Sequence, residues 1–363
     1  MTLKKLALAL PLALPSAAFA ATSNVEIYGL FSASFDIVNF DSPTKSDESL
    51  ISSHASRLGF RGKEDLGGGL AAVWGTEVGL ALDSGSGTWG SRGAFVGLSS
   101  KNLGQLILGG QLNTPHKMST VKLDVFGDSL ADYNGIIGQA SNTGAAGNRA
   151  VFDARGSDAI QYTSPSLSGV VVDVMYSQKN EAGLTNRDPQ LWSLAANYTN
   201  GPLYLTVAWE KDFDFATSAD RSDWKLGAGY TFGNTRLAGV YERMSQTGSG
   251  VYDRNAYYVS VLHKMGNINL KGAYGRAGDS DAVGGDDGAR LWAVGGDYNL
   301  SKRTALYAIY ASLNNDTNGR YTMGQGTGAN TGAITPTGGG QAPAASAWVC
   351  VTPSEICRFH AAN

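Results

Sequence analysis

Charged side chains at alternating positions are the first residues in this chain with chemistry to offer. In "SRLGFRG", Arg57 and Arg61 share one parity, while Leu58 and Phe60 share the other. Glu77 has the parity opposite to Trp74, Val78 and Leu80. Fixed guanidinium charges on one face raise the local concentration of small anions, and a carboxylate across from them sets up a transverse field. Other groups offer less. Asp279, Asp281, Asp286 and Asp287 in "GDSDAVGGDDG" are hard oxygen ligands of the kind Ca²⁺ takes, but they lack the EF-hand spacing and read as a solvated loop. His54, His116 and His263 are too scattered to suggest a metal site, each sitting singly in a loop or on a wall. The glycines of "GQGTGANTG" do not stand between a strand and a helix, so they do not read as a nucleotide loop. Nothing beyond scattered Ser, His and Asp candidates forms a catalytic constellation. No catalytic residue, metal or cofactor is expected.

Parity has meaning only on strands, and the chain is patterned for them. In "NVEIYGLFSASFDIV", Val25, Ile27, Phe31, Ala33, Phe35 and Ile37 fall on one face, with Asn24, Glu26, Ser32, Ser34 and Asp36 on the other. "DWKLGAGYTF" aligns Trp224, Leu226, Ala228, Tyr230 and Phe232; "TALYAIYASL" aligns Ala305, Tyr307, Ile309, Ala311 and Leu313. Such runs suit strands that cross a bilayer at a tilt, which need ~9–11 residues. The 48 glycines, 10 prolines and 16% charged residues fit a β-protein with many turns. A net charge of −3 leaves no basic footprint for nucleic acid. The start, "MTLKKLALALPLALPSAAFA", is basic, then apolar, then small-residued, which predicts a signal peptide over 1–20 cleaved after Ala20.

Short turns such as "EDLGGGL", "YTNGPLY" and "NLSKRTA" alternate with long polar segments at 41–51, 83–91, 113–157, 179–189, 213–222, 247–253, 278–289 and 314–345. Counted this way, the mature chain 21–363 is an all-β, transmembrane antiparallel barrel of about 16 strands, with both ends on the periplasmic side. A barrel is required because lipid leaves an open sheet edge without hydrogen-bond partners. A secreted β-sandwich would have shorter strands and no such loop rhythm.

"SRLGFRGKEDLGGGLAAVWGTEVGL", "RGAFVGLSSKNLGQLILGGQLNTP", "AIQYTSPSLSGVVVDVMYS" and "YNLSKRTALYAIYASL" resemble, in order, the general porins of Gram-negative and chiefly β-proteobacterial outer membranes. The resemblance implies a homotrimer embedded in outer-membrane lipid and lipopolysaccharide, passing small hydrophilic solutes and ions. It also implies that the third long loop, 113–157, folds inward as a constriction. Arg57 matches a constriction arginine of anion-selective members, and Arg92 and Arg155 match its two partners. Arg61 shares the parity of Arg57; Glu77, and Asp124 in the loop, supply the opposing charge. The expected pore is therefore anion-leaning. Arg92 shares parity with the outward-reading Val96 and Leu98, so only a bulge or a place at the strand's outer end turns it inward. Trimer contacts are expected on the apolar outer face that includes Phe31 and Phe35. The alternatives are a barrel with an enzymatic role or one with a structural or adhesive role.

The segment 346–363 departs from the family, whose last strand ends Gly-x-Arg-His-x-Phe. Here alternation breaks after Trp348, and the tail holds both cysteines, Cys350 and Cys357. They could form an isolated disulfide. The genetic code offers another reading: codons begun at each third base from Trp348 allow Gly-x-Arg-His-x-Phe-stop. A frameshift upstream of Trp348 is therefore expected to have replaced the closing strand. Resequencing the 3′ end should find a TGC codon for Cys350 and TGA in the shifted frame; TGT at Cys350 rules the frameshift out.

Overall fold

The computed structural model describes residues 24–40, 47–139, 152–178, 189–215, 219–247, 252–281, 285–323 and 343–353. The signal segment, Cys357 and everything after Pro353 lie outside them. Eighteen strand segments form one antiparallel sheet, and two pairs of segments are interrupted halves of single crossings, which leaves sixteen crossings. These are β1 (Asn24–Leu30, resuming at Ala33–Phe40), β2 (Glu48–Ser53, resuming at Arg57–Gly67), β3 (Leu70–Ala81) and β4 (Ser86–Ser100). Next come β5 (Gly104–Gly110), β6 (Ala159–Thr163), β7 (Val170–Gln178), β8 (Gln190–Asn200), β9 (Leu203–Phe215) and β10 (Ala219–Phe232). The last are β11 (Thr235–Gln246), β12 (Arg254–Met265), β13 (Ile268–Ala277), β14 (Ala289–Asn299), β15 (Thr304–Asn315) and β16 (Pro343–Pro353). Each pairs with the next, and β16 returns to β1, which makes the sheet a barrel.

The closing position differs from expectation. Residues 343–353 form a strand there, paired to β15 with a register shift at Tyr307/Ala308. Peptide groups need partners in lipid whatever side chains they carry, so this segment enters the ladder although its alternation breaks after Trp348. Its pairing with β1 runs from Pro343 to Trp348 and stops there, where the alternation also breaks. Two expected loops are also shorter than read. Strand pairing reaches Ala81 and restarts at Ser86, and it continues to Phe215 and restarts at Ala219.

Outward faces follow the parity reading on β1 and β10, where Phe35, Ile37, Trp224, Leu226, Tyr230 and Phe232 are exposed. On β15 the apolar set turns inward instead. Tyr307, Ile309, Ala311 and Leu313 are buried with the long loop after β5. That loop fills part of the lumen, so an inward apolar face has something to pack on. It begins at helix α1 (Pro115–Thr120), capped by the Thr114 hydroxyl, which accepts from the Lys117 N–H at 3.3 Å. Leu123, Phe126, Ile136 and Ile137 then bury against the inner wall of the barrel. Gly227 on β10 makes the approach possible, since a Cβ there would lie 2.5 Å from the Leu123 side chain.

Polar anchors fix the loop to β8–β12. Tyr204 Oη donates to Ser119 O at 2.6 Å, Ser260 Oγ to Leu123 O at 2.7 Å, and Tyr258 Oη to Asp124 Oδ1 at 2.6 Å. At the loop's far end, Lys225 Nζ lies 2.5 Å from Asp153 Oδ2 and 4.0 Å from Glu242 Oε1. Glu242 also accepts from the Gly138 N–H at 2.6 Å and meets Arg254 Nη2 at 3.0 Å. His116, expected to stand singly, lies between Asp153 (Nδ1, 2.8 Å) and Asp223 (Nε2, 3.2 Å). Lys225, Asp153, Glu242, Arg254, His116 and Asp223 are all buried. Removing one member of a buried ion network leaves uncompensated charge, which costs about 3–5 kcal/mol. Lys225→Met should therefore lower the thermal unfolding transition of the detergent-solubilised barrel clearly; an unchanged transition would show that the network does not hold the loop.

Candidate functional site

Because the loop leans on β8–β12, open space remains between it and the wall of β1–β4. This is a cavity of about 1200 Å³. The sequence-proposed residues Arg57, Arg61, Arg92, Arg155, Glu77 and Asp124 all line it. Strand parity places Arg57 and Arg61 on the inner face of β2, four residues apart, or about 13 Å along an extended strand. Arg57 Nη1 donates to Asp128 Oδ2 of the loop and to Ala55 O, both at 3.0 Å. Arg61 is further toward the short-turn end. It donates from Nε to Glu26 Oε2 at 2.8 Å and lies 5.0 Å from the centre of the Tyr28 ring.

Arg92 turns inward through a bulge. Glu77 pairs with Gly93 and Gly79 with Thr88, so residues 89–92 of β4 stand against Val78 alone. Gly93 has φ +146, a backbone state that favours glycine. The inverted parity lets Arg92 Nε donate to Glu77 Oε1 at 2.8 Å. Glu77 therefore pairs with Arg92, while Arg57 takes Asp128. Arg155 comes from the returning end of the loop, where Arg155–Gly156 pairs with Leu112–Asn113. Its Nη1 donates to Arg92 O and to Gln111 O, the latter at 2.9 Å.

Asp124 serves the loop more than the field. Its carboxylate accepts from the Phe126 N–H at 2.8 Å, the Tyr133 N–H at 3.0 Å and the Tyr258 hydroxyl. Burial raises its pKa against those bonds. Burial, with the charge of Asp124, also pushes the neighbouring Asp132 up to about 8. At the loop's end Asp153 goes the other way: burial alone would raise it, but Lys225 and His116 hold it well below the usual carboxylate range.

Several lining residues were not singled out from sequence. Asp128 and Lys117 lie in the loop and carry no periodic signal, while Lys302 and Arg303 sit in the short turn before β15. Glu26 could have been found, since its parity on β1 is polar. Seven arginine or lysine side chains and five carboxylates line the cavity, so fixed positive charge is in excess. Elsewhere, oxygens of Asp279, Asp286 and Asp316 come within 4.8 Å of one another, with Asp279 and Asp286 exposed to solvent. Asp287 is buried and accepts from Ser280.

A family model described as Gram-negative porin matches residues 6–318. The chain belongs to that family. The porin is 31% identical over 324 residues to outer membrane porin protein 32 of Delftia acidovorans, covering 86% of this chain and 90% of the relative. It is 26% identical to the major outer membrane protein P.IB of Neisseria gonorrhoeae, over 84% of this chain and 91% of that one. A solved anion-selective porin from Comamonas acidovorans superposes with a TM-score of 0.77 at 26% identity, covering 92% of this chain and all of that one. The protein is thus an outer-membrane porin, a water-filled barrel channel, and its relatives are channels rather than enzymes.

The raised Asp132 carboxyl gives the pore a pH dependence with a defined sign. Below about pH 8 the group is mostly protonated, and above it the loop gains a negative charge facing the arginines. Raising the pH from 7 to 9 should therefore reduce any preference for chloride over potassium, read as a smaller reversal potential in a KCl gradient. Asp132→Asn should remove the change; an equal pH response in that variant would assign it to another group.

Proposed function

We propose that this porin is an anion-leaning, homotrimeric channel for small hydrophilic solutes, surrounded by outer-membrane lipid and lipopolysaccharide. Arg57, Arg92 and Arg155 set its bias. One observation carries the reading. Arg155 donates to two backbone carbonyls, and among the described residues no carboxylate forms an ion pair with it. Arg57 and Arg92 each face one carboxylate, which makes the local sum positive. Low-dielectric walls focus that charge on the passing solution. Arg61, held by Glu26, contributes less. Trimer contact is supported by the outer face of β1, where Phe35 and Ile37 are 44% and 36% exposed and Phe31 is partly so.

Planar bilayers test both parts of the reading. Conductance should appear in steps of three, and the wild-type reversal potential in a KCl gradient should have the sign of chloride preference. Arg57→Ser and Arg155→Ser should each reduce it, with a smaller effect near 1 M salt, where screening acts within ~3 Å. Unchanged potentials in both variants would remove the arginine assignment; single steps throughout would remove the trimer.

A further inference from the structure

Two arginines stand side by side on the outer wall of the barrel. On β13 and β14 the inward positions are the buried Gly275, Ala277, Ala289, Leu291 and Ala293. Arg276 and Arg290 alternate with these and so face outward, each one residue from the loop end of its strand. They are cross-strand partners, directly opposite in register. Like charges so placed repel one another, and an arginine cannot shed its proton to relieve the strain. Neighbouring acids do little to offset the pair. Arg290 Nη2 lies 3.9 Å from Asp316 Oδ1 with its side chain 49% exposed, and among the described residues no carboxylate forms an ion pair with Arg276. One step toward the membrane, Tyr274 pairs with Trp292 on the same outward face. The rings continue sideways to Tyr257, 6.1 Å from Tyr274, and to Tyr310, 5.2 Å from Trp292. Aromatic girdles mark the level at which a barrel wall passes from acyl chains to head groups. The arginine pair lies just on the loop side of that line, at head-group height.

We infer that Arg276 and Arg290 bind a phosphate of lipopolysaccharide, carried on the lipid A head group in the leaflet that the long loops face. A phosphate accepts from both guanidinium groups at once, and the planar fork of arginine matches its oxygens. Directly opposite residues of an antiparallel pair have Cβ atoms ~5 Å apart, so one phosphate can lie between the two side chains. The acyl chains of the same lipid then run over the exposed Trp292 and Val294 below. A free phosphate gains only the charge contact, whereas the lipid gains both and is held at this height by its own tails. The pair is three strands round the wall from Phe35 and Ile37 on β1, which leaves it outside the face proposed for subunit contact. This rests on the lipopolysaccharide surround proposed above and is independent of the anion-leaning reading of the lumen.

Native mass spectrometry of the intact, detergent-solubilised porin tests the site. EDTA is present, so that no divalent cation bridges phosphate to Asp279, Asp286 or Asp316 in the loops above. The probes are lipid A and lipid A stripped of its phosphates. Wild type should bind lipid A about tenfold or more tightly than the stripped form, as charge-assisted hydrogen bonds predict. Equimolar inorganic phosphate should not displace it. The double change Arg276→Gln, Arg290→Gln should lose most of the difference while conducting like wild type, since both residues face away from the lumen. Arg57→Ser, changed inside the pore, should keep it; loss there would move the binding to the lumen and overturn the assignment. Equal binding of the two lipids by wild type overturns the site without recourse to any variant, and so does an undiminished difference in the double variant. Displacement by equimolar phosphate overturns the lipid as occupant. Wild type that binds neither form overturns the lipopolysaccharide surround itself.

Discussion

A peptide group inside a bilayer finds no water, so every backbone N–H and C=O crossing it must bond within the protein. The rest of this structure depends on that requirement. It forces the sheet to return on itself, and it fixes two faces whose side chains alternate strictly. Once the outer face must be apolar, the charged residues have only the lumen. Arg57 and Arg61 go there because Leu58 and Phe60 take the other side. The same demand recruits Pro343–Pro353 into the wall, although the alternation of its sequence breaks after Trp348.

Closure explains where charge goes, but it does not narrow the channel. Narrowing comes from the loop between β5 and β6, which is held by chemistry of a different kind. Apolar residues on its inner side pack on β8–β15, and buried ions at Lys225, Glu242 and Arg254 grip its far end. The loop thereby leans to one side and leaves the arginine-bearing wall open. Asymmetry of the pore follows from asymmetry of anchoring. Positive charge then lies mainly on the wall, while Asp124, Asp128, Asp132 and the exposed Met118 lie on the loop.

Much of this was legible in the sequence where a local rule governs. Parity placed β1 and β10 correctly, and it put Arg57, Arg61 and Glu77 in the lumen. The rule failed where tertiary packing intervened. On β15 the apolar face turned inward because the loop supplied an apolar partner. Arg92 carried the wrong parity, and the glycines at positions 90 and 93, both with positive φ, were the local hint of the bulge that corrects it. Pairings across long sequence separations were out of reach. Arg57 with Asp128, and His116 with Asp153 and Asp223, depend on how the loop folds back, and alternation carries no information about that. The shorter hairpin after Ala81 was missed because its polar residues read as loop while still extending the ladder.

The central claim is that a contiguous positive site faces the open side of the constriction. Anomalous diffraction from crystals soaked in bromide, with a parallel rubidium soak, locates permeant ions of each sign directly. Bromide is predicted beside Arg92 and Arg155, with rubidium absent from that part of the cavity. Rubidium bound between Glu77 and Asp128, with no bromide near the arginines, would contradict the account.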